Sequence, residues 1–256
     1  MNNIFQIVIT CNKDGDLAKK CINNEKNMLI LMPEKSNDKS FAMTSSFSCM
    51  TLATLLVFDI ENIEKNKEFI EIVSLQAEEI LDNRWLEVKE LVDYECDRVV
   101  YLGSGMLKGL CQEMALKNLE LTSGKVTTVC ESVLGFRHGP KSIINDKTLV
   151  IIMATNEEYT KLYDIDLIKE IHNDLGNHKL TVITYENDEA MKENCSNYIC
   201  INGESVPNIY KVFNYMIFGQ MFGYLSSLKL NISPDNPRPD GTVNRVVKGV
   251  VIHQYK

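Results

Sequence analysis

Residues Asp97–Asn145 read DRVVYLGSGMLKGLCQEMALKNLELTSGKVTTVCESVLGFRHGPKSIIN, and their pattern decides the fold class. Val99, Val100 and Leu102 predict a buried strand running into the turn Gly103-Ser104-Gly105. A helix is predicted from about Leu107 to Leu121, then a second strand, then the polar turn Arg137-His138-Gly139-Pro140. Strand, glycine turn, helix and strand make an α/β unit, and such units carry their chemistry at the carboxyl ends of their strands.

Within the predicted helix, Glu113, Lys117 and Glu120 fall on one stripe, because the helix turns once every ~3.6 residues. A Glu-Lys-Glu stripe is most often a solvated, salt-bridged face. Catalysis requires it to face a cleft, where burial raises a carboxyl pKa and makes a usable base.

Outward from this unit, the chain alternates strands and helices. Ile4–Thr10 and Met28–Met32 are predicted strands, and an apolar helix ends near Asp59. Ile60 to about Asp93 reads as charged amphipathic helix. Thr148–Ala154, Leu180–Tyr185 and Tyr198–Ile201 are further strands, with a helix over 156–173 and another from Pro207 to about Leu230. This alternation implies a parallel sheet covered on both faces. Pro234, Pro237 and Pro239 fix an extended loop, and Gly249–His253 is expected to add a final strand.

Composition narrows the function. Of the 256 residues, 45% are hydrophobic and 24% charged, as in ordinary globular proteins. No apolar run is long enough to span a bilayer, and no leader pattern suggests export. The eight cysteines form no CxxC pair, so reduced thiols in a cytoplasmic protein are expected rather than zinc or disulfides. A net charge of −8 argues against nucleic acid. It also means that backbone amides and hydroxyls must hold any phosphorylated ligand against the overall field. The turn at Gly103–Gly105 lacks the third glycine of a dinucleotide fingerprint, since Lys108 stands there.

Three longer motifs go further: ExALKxLELTxGK (113–125), LGFRHGPKSIIND (134–146) and SPDNPxPxGTVNRVV (233–247). Together they resemble the sugar isomerase (SIS) family, within it the group of tagatose-6-phosphate ketose/aldose isomerases and galactosamine-6-phosphate deaminases. The resemblance implies a flavodoxin-like, three-layer αβα fold, with one complete SIS domain and part of another. It places the end of a first domain at 1–60, a helical connector at 61–95 and a second domain with its tail at 96–256. Such proteins carry two SIS domains in tandem, so this chain is expected to begin partway through the first, downstream of its main phosphate loop.

The resemblance also implies a 6-phosphorylated hexose or amino sugar as substrate, no metal or organic cofactor, no nucleic-acid or membrane partner, and a homodimer or higher homo-oligomer. Glu120 matches the proton-transferring base, with Glu113 and Lys117 orienting it or binding hydroxyls. His138 matches a histidine that helps open the sugar ring and can reach a neighbouring subunit's site. Lys248 stands where a related synthase has a lysine that reacts with the open carbonyl; a surface lysine is an equal reading. Arg137 is a candidate for phosphate or hydroxyl contact. Ser104 serves the sugar end of the pocket or simply the turn. Ser40, Thr44, Ser45 and Ser46 lie where the family's loop borders the pocket. Hydroxyls at a helix start are ordinarily plain caps, yet they are also what a phosphate site requires.

Overall fold

The computed structural model describes residues 4–251, 253 and 254. They divide into two compact units, Met1–Lys67 with Arg238–Lys256, and Glu68–Pro237. By compactness the tail from Arg238 therefore groups with the first unit.

The first unit holds β1 (Gln6–Thr10), α1 (Asp16–Ile22), β2 (Asn27–Leu31) and α2 (Ser45–Phe58), with α3 (Ile63–Asn83) beginning at its end. The two strands pair in parallel, Gln6 opposite Asn27 through Thr10 opposite Leu31. The expected final strand is not found: the described residues of 249–253 are irregular, and Ile252 lies outside the described set. Val250 and Val251 are exposed, so their β-branched side chains meet no sheet face to pack on.

The second unit continues with α4 (Trp85–Asp93), β3 (Arg98–Gly103), α5 (Met106–Leu121), β4 (Thr127–Glu131), α6 (Val133–Phe136), β5 (Thr148–Met153), α7 (Glu158–Asn173), β6 (Lys179–Thr184), α8 (Glu189–Lys192), β7 (Asn197–Cys200) and α9 (Asn208–Lys229). Its strands form one parallel sheet in the order β4-β3-β5-β6-β7. Val99 through Leu102 and all of β5 are buried, the continuous apolar pattern of strands covered on both faces. Among the described residues, no single helix is long and apolar enough to cross a membrane.

Alternate strand residues separate the two helical layers. Val100, Leu102, Val150, Ile152 and Val182 pack with α6 and α7 in one core, which includes Phe136, Leu167, Ile168 and Ile171. Tyr101 points the other way, where its hydroxyl accepts from Asn118 of α5. The topology requires this: β3 to β4 and β5 to β6 run in opposite directions across the sheet, and right-handed crossovers then lie on opposite faces. α9 packs on α5. It does so through Gly219, where a Cβ would collide with Met114. Gly103 is equally constrained, since a Cβ there would stand 2.8 Å from the Leu107 backbone.

Later in α3, Gln76 accepts from the Tyr185 hydroxyl and from Asn214 of α9, and donates to the Glu204 carbonyl. Arg84 reaches the Cys200 carbonyl at 2.9 Å. These bonds fix the carboxyl half of α3 to the sheet domain.

Candidate active site

The α5 stripe is not a solvated face. Lys117 is 5% exposed, on a helix that packs closely against α9: a Cβ on Gly223 would stand 3.5 Å from the Lys117 carbonyl. Its Nζ donates to Glu120 Oε2 at 2.6 Å and pairs with Glu113 Oε1 at 3.5 Å. Both carboxylates are half-buried. Burial pushes the Glu113 carboxyl up and the neighbouring Glu120 charge adds to this, outweighing the pull of Lys117. Two carboxylates thus share one buried ammonium, which leaves a negative excess where a proton can be taken up.

His138 lies elsewhere. It follows α6, which packs on α7, and its side chain is exposed. Arg137 pairs with Glu170 of α7 at 2.7 Å. Lys141 pairs with Glu170 at 2.6 Å and with Asp174 at 2.7 Å. The turn is therefore pinned to the α7 layer, while Glu120 stands on the α5 layer. A single chain does not bring the two together, because the sheet lies between them.

Ser104 is at a third location, past the carboxyl end of β3. Its hydroxyl donates to Asp164 Oδ1 at 2.6 Å, and the Thr155 amide donates to Oδ2 at 2.9 Å. Asp164 is fully buried. Burial lifts its pKa to about 6, against the lowering effect of the Ser104 and Thr155 bonds.

In the first unit, the start of α2 already holds an anion. Asp38 accepts from the amides of Thr44, Ser45 and Ser46 and from the hydroxyls of Thr44 and Ser46, at 2.7–3.1 Å. Burial acts to raise its pKa, but these bonds prevail and bring it to about 2. The donors expected to face phosphate thus face the chain's own carboxylate. Ser40 is half-buried and Ser45 exposed. Lys248 is exposed on irregular chain.

Two residues that organise these places, Asp38 and Asp164, escaped the sequence reading. Asp38 stands six residues ahead of Thr44, outside any capping-box spacing. Asp164 sits mid-helix two residues from a second aspartate, Asp166, where a carboxylate reads as surface.

The SIS domain model matches residues 94–223. The chain belongs to the SIS domain family. The SIS match thus contains the five-stranded sheet, the α5 stripe and His138. D-galactosamine-6-phosphate deaminase AgaS of Shewanella sp. (strain ANA-3) is 38% identical over 255 residues, covering 100% of this chain and 62% of the relative. A crystal structure from Clostridium novyi NT superposes with a TM-score of 0.95 at 44% identity, covering 99% of this chain and 66% of that one. Tagatose-6-phosphate ketose/aldose isomerase from Escherichia coli gives a TM-score of 0.86 at 33% identity, covering 98% and 65%. The chain therefore spans a little under two thirds of these relatives.

Proposed function

We propose that the chain carries the acid–base half of a sugar-phosphate aldose–ketose isomerase or deaminase acting on a hexose or amino-sugar 6-phosphate, with galactosamine 6-phosphate the favoured substrate. The supporting observation is the buried ammonium of Lys117 between the carboxylates of Glu113 and Glu120, in a family whose relatives include a galactosamine-6-phosphate deaminase and a tagatose-6-phosphate isomerase.

In this reading the sugar ring opens to the aldehyde, with His138 as acid–base. Glu120 removes the C2 proton and returns it to C1, through an enediol or, for an amino sugar, an enolamine. With an amine at C2, the proton transfer leaves a ketimine. Water adds to it and ammonia departs, giving the 2-ketose. Lys117 holds Glu120 in place by the 2.6 Å bond, and Glu113 binds hydroxyls. Because His138 and Glu120 lie on opposite faces of the sheet, the reading requires His138 from a second copy, hence a homo-oligomer.

One observation favours a second reading, a sugar-phosphate-binding module without turnover: the hydroxyls of Thr44 and Ser46 face Asp38. A coupled ammonia-release assay with galactosamine 6-phosphate decides. Turnover lost in Glu120→Gln supports the enzyme. No turnover, with a ligand-induced rise in Tm, supports the module.

A further inference from the structure

α9 lies along α5 and runs in the same direction. A Cβ on Gly219 would collide with Met114, and further along, a Cβ on Gly223 would meet Lys117 and Leu121. These contacts fix which way every other position on the two helices is turned. At ~100° per residue, Gln220 is turned about 80° from the contact direction on α9. Glu113 and Glu120 are turned about 70–90° from it on α5, in the opposite sense. For two parallel helices that face each other, opposite turns lie on the same side. Gln220 therefore flanks the same side of the pair as the two carboxylates. Along the axis it falls between the levels of Met114 and Lys117, so it stands beside the stripe.

Its amide is uncommitted. Gln220 is half-buried, and its Nε2 is buried without a hydrogen-bond partner. Among the described residues three other side-chain polar atoms share that condition. The Oδ1 atoms of Asn118 and Asn214 can only accept, and Nε of Arg245 belongs to the other unit. Gln220 thus carries the unmet buried donor of the sheet unit. A buried N–H without a partner is unfavourable, and its presence in a folded chain asks for a reason. Lys117 leaves little to share on this side, since its Nζ is divided between Glu120 Oε2 at 2.6 Å and Glu113 Oε1 at 3.5 Å.

The chemistry proposed for the stripe has a use for such a donor. When the C2–H bond breaks, its proton passes to Glu120 and its electron pair forms the second bond between C1 and C2. The carbonyl pair moves onto O1, which becomes an oxyanion close to two carboxylates. It keeps that charge until it takes the proton released by the oxygen or nitrogen on C2. A fixed donor favours this state over the uncharged substrate, because the bond strengthens as charge develops. We propose that Gln220 is a further catalytic residue, donating from Nε2 to the substrate oxygen that becomes negative during proton transfer. The assignment rests on the reading of Glu120 as the base and deepens it by giving the enediolate a partner of its own. A neutral amide suits the place better than another lysine, since a second cation would weaken a neighbouring carboxylate as a base.

The test compares two open-chain ligands by calorimetry. Galactitol 6-phosphate resembles the substrate chain without a planar oxygen pair, whereas the hydroxamate of 5-phospho-D-lyxonic acid resembles the enediolate. Gln220→Met, which keeps most of the volume and removes the donor, should weaken the hydroxamate at least tenfold and the alditol less than twofold. Gln220→Glu, which sets a negative charge there, should weaken the hydroxamate further. In turnover, Gln220→Met should lower kcat by ~10²-fold with KM little changed. Unchanged hydroxamate affinity in Gln220→Met, or equal losses for both ligands as a packing role would give, overturns the assignment and leaves Glu120 as the base. Failure of the underlying reading looks different: the unmodified chain then binds neither ligand, or Glu120→Gln keeps full turnover, and the role of Gln220 falls with it.

Discussion

Lys117 donates to Glu120 at 2.6 Å from a position that leaves its side chain 6% exposed. A surface pair at helical spacing contributes only a few tenths of a kcal/mol. This one has a buried ammonium shared with Glu113, so its loss changes the chemistry of the carboxylates beside it. Glu120→Gln should lower kcat by ~10²–10⁴ with KM little changed. Lys117→Met removes the charge that pulls the Glu113 carboxyl down, so the acid limb of the pH–rate profile should move to higher pH. A limb that stays in place would show that the stripe does not titrate in the rate-limiting step.

The sheet between Glu120 and His138 makes a stoichiometric prediction. Neither Glu120→Gln nor His138→Ala should turn over alone. After subunit exchange in an equimolar mixture, half of the dimers are hybrids with one intact site of two, so about a quarter of the activity should return. Mixtures as inactive as the parents would place both groups in one chain.

Asp38 should govern acid stability of the first unit. Its pKa is depressed to about 2, below the unfolded value of ~3.9. Its contribution is therefore complete above ~pH 4 and is lost as pH falls toward 2. Asp38→Ala should cost about 0.5–2 kcal/mol at pH 7, the range of a lost helix cap, and should flatten this acid limb in urea melts recorded by far-UV circular dichroism.

Asp164 carries the opposite sign. Its pKa, raised to about 6, means that the folded chain holds a proton the unfolded chain releases above ~pH 4. Stability should therefore decline by about 2–3 kcal/mol between pH 4 and 7 from this group. Asp164→Asn should remove that decline, measured as the difference in urea midpoint between the two pH values.

Glu170 ties down both flanks of His138 through Arg137 and Lys141. Each of these partly exposed pairs is worth roughly 0.2–1 kcal/mol, so Glu170→Gln should shift Tm only slightly. Turnover should nonetheless fall several-fold through a loosened turn, with the loss in kcat rather than KM.

Much of the architecture was legible because buried parallel strands write themselves as unbroken apolar runs. Val99–Leu102 and Thr148–Met153 are two examples. The Glu113-Lys117-Glu120 stripe was legible as a stripe, but its burial was not, because α9 lies about a hundred residues downstream and periodicity says nothing of what covers a helix. The same limit hid Asp38. A run of serines and threonines before an apolar helix reads alike whether its donors face a ligand or a carboxylate from the preceding loop. The final strand at 249–253 failed for a related reason: valine-rich spacing supplies propensity, while a strand also requires a partner edge.

Tyr101 facing α5 and Leu102 facing α7 means that neighbouring residues of one strand belong to different neighbourhoods. Substitutions in the two layers should then be energetically independent, their double mutants additive to within a few tenths of a kcal/mol. The layer bearing Glu120 and the layer bearing His138 are thus free to diverge separately, with only the shared backbone to keep them in step.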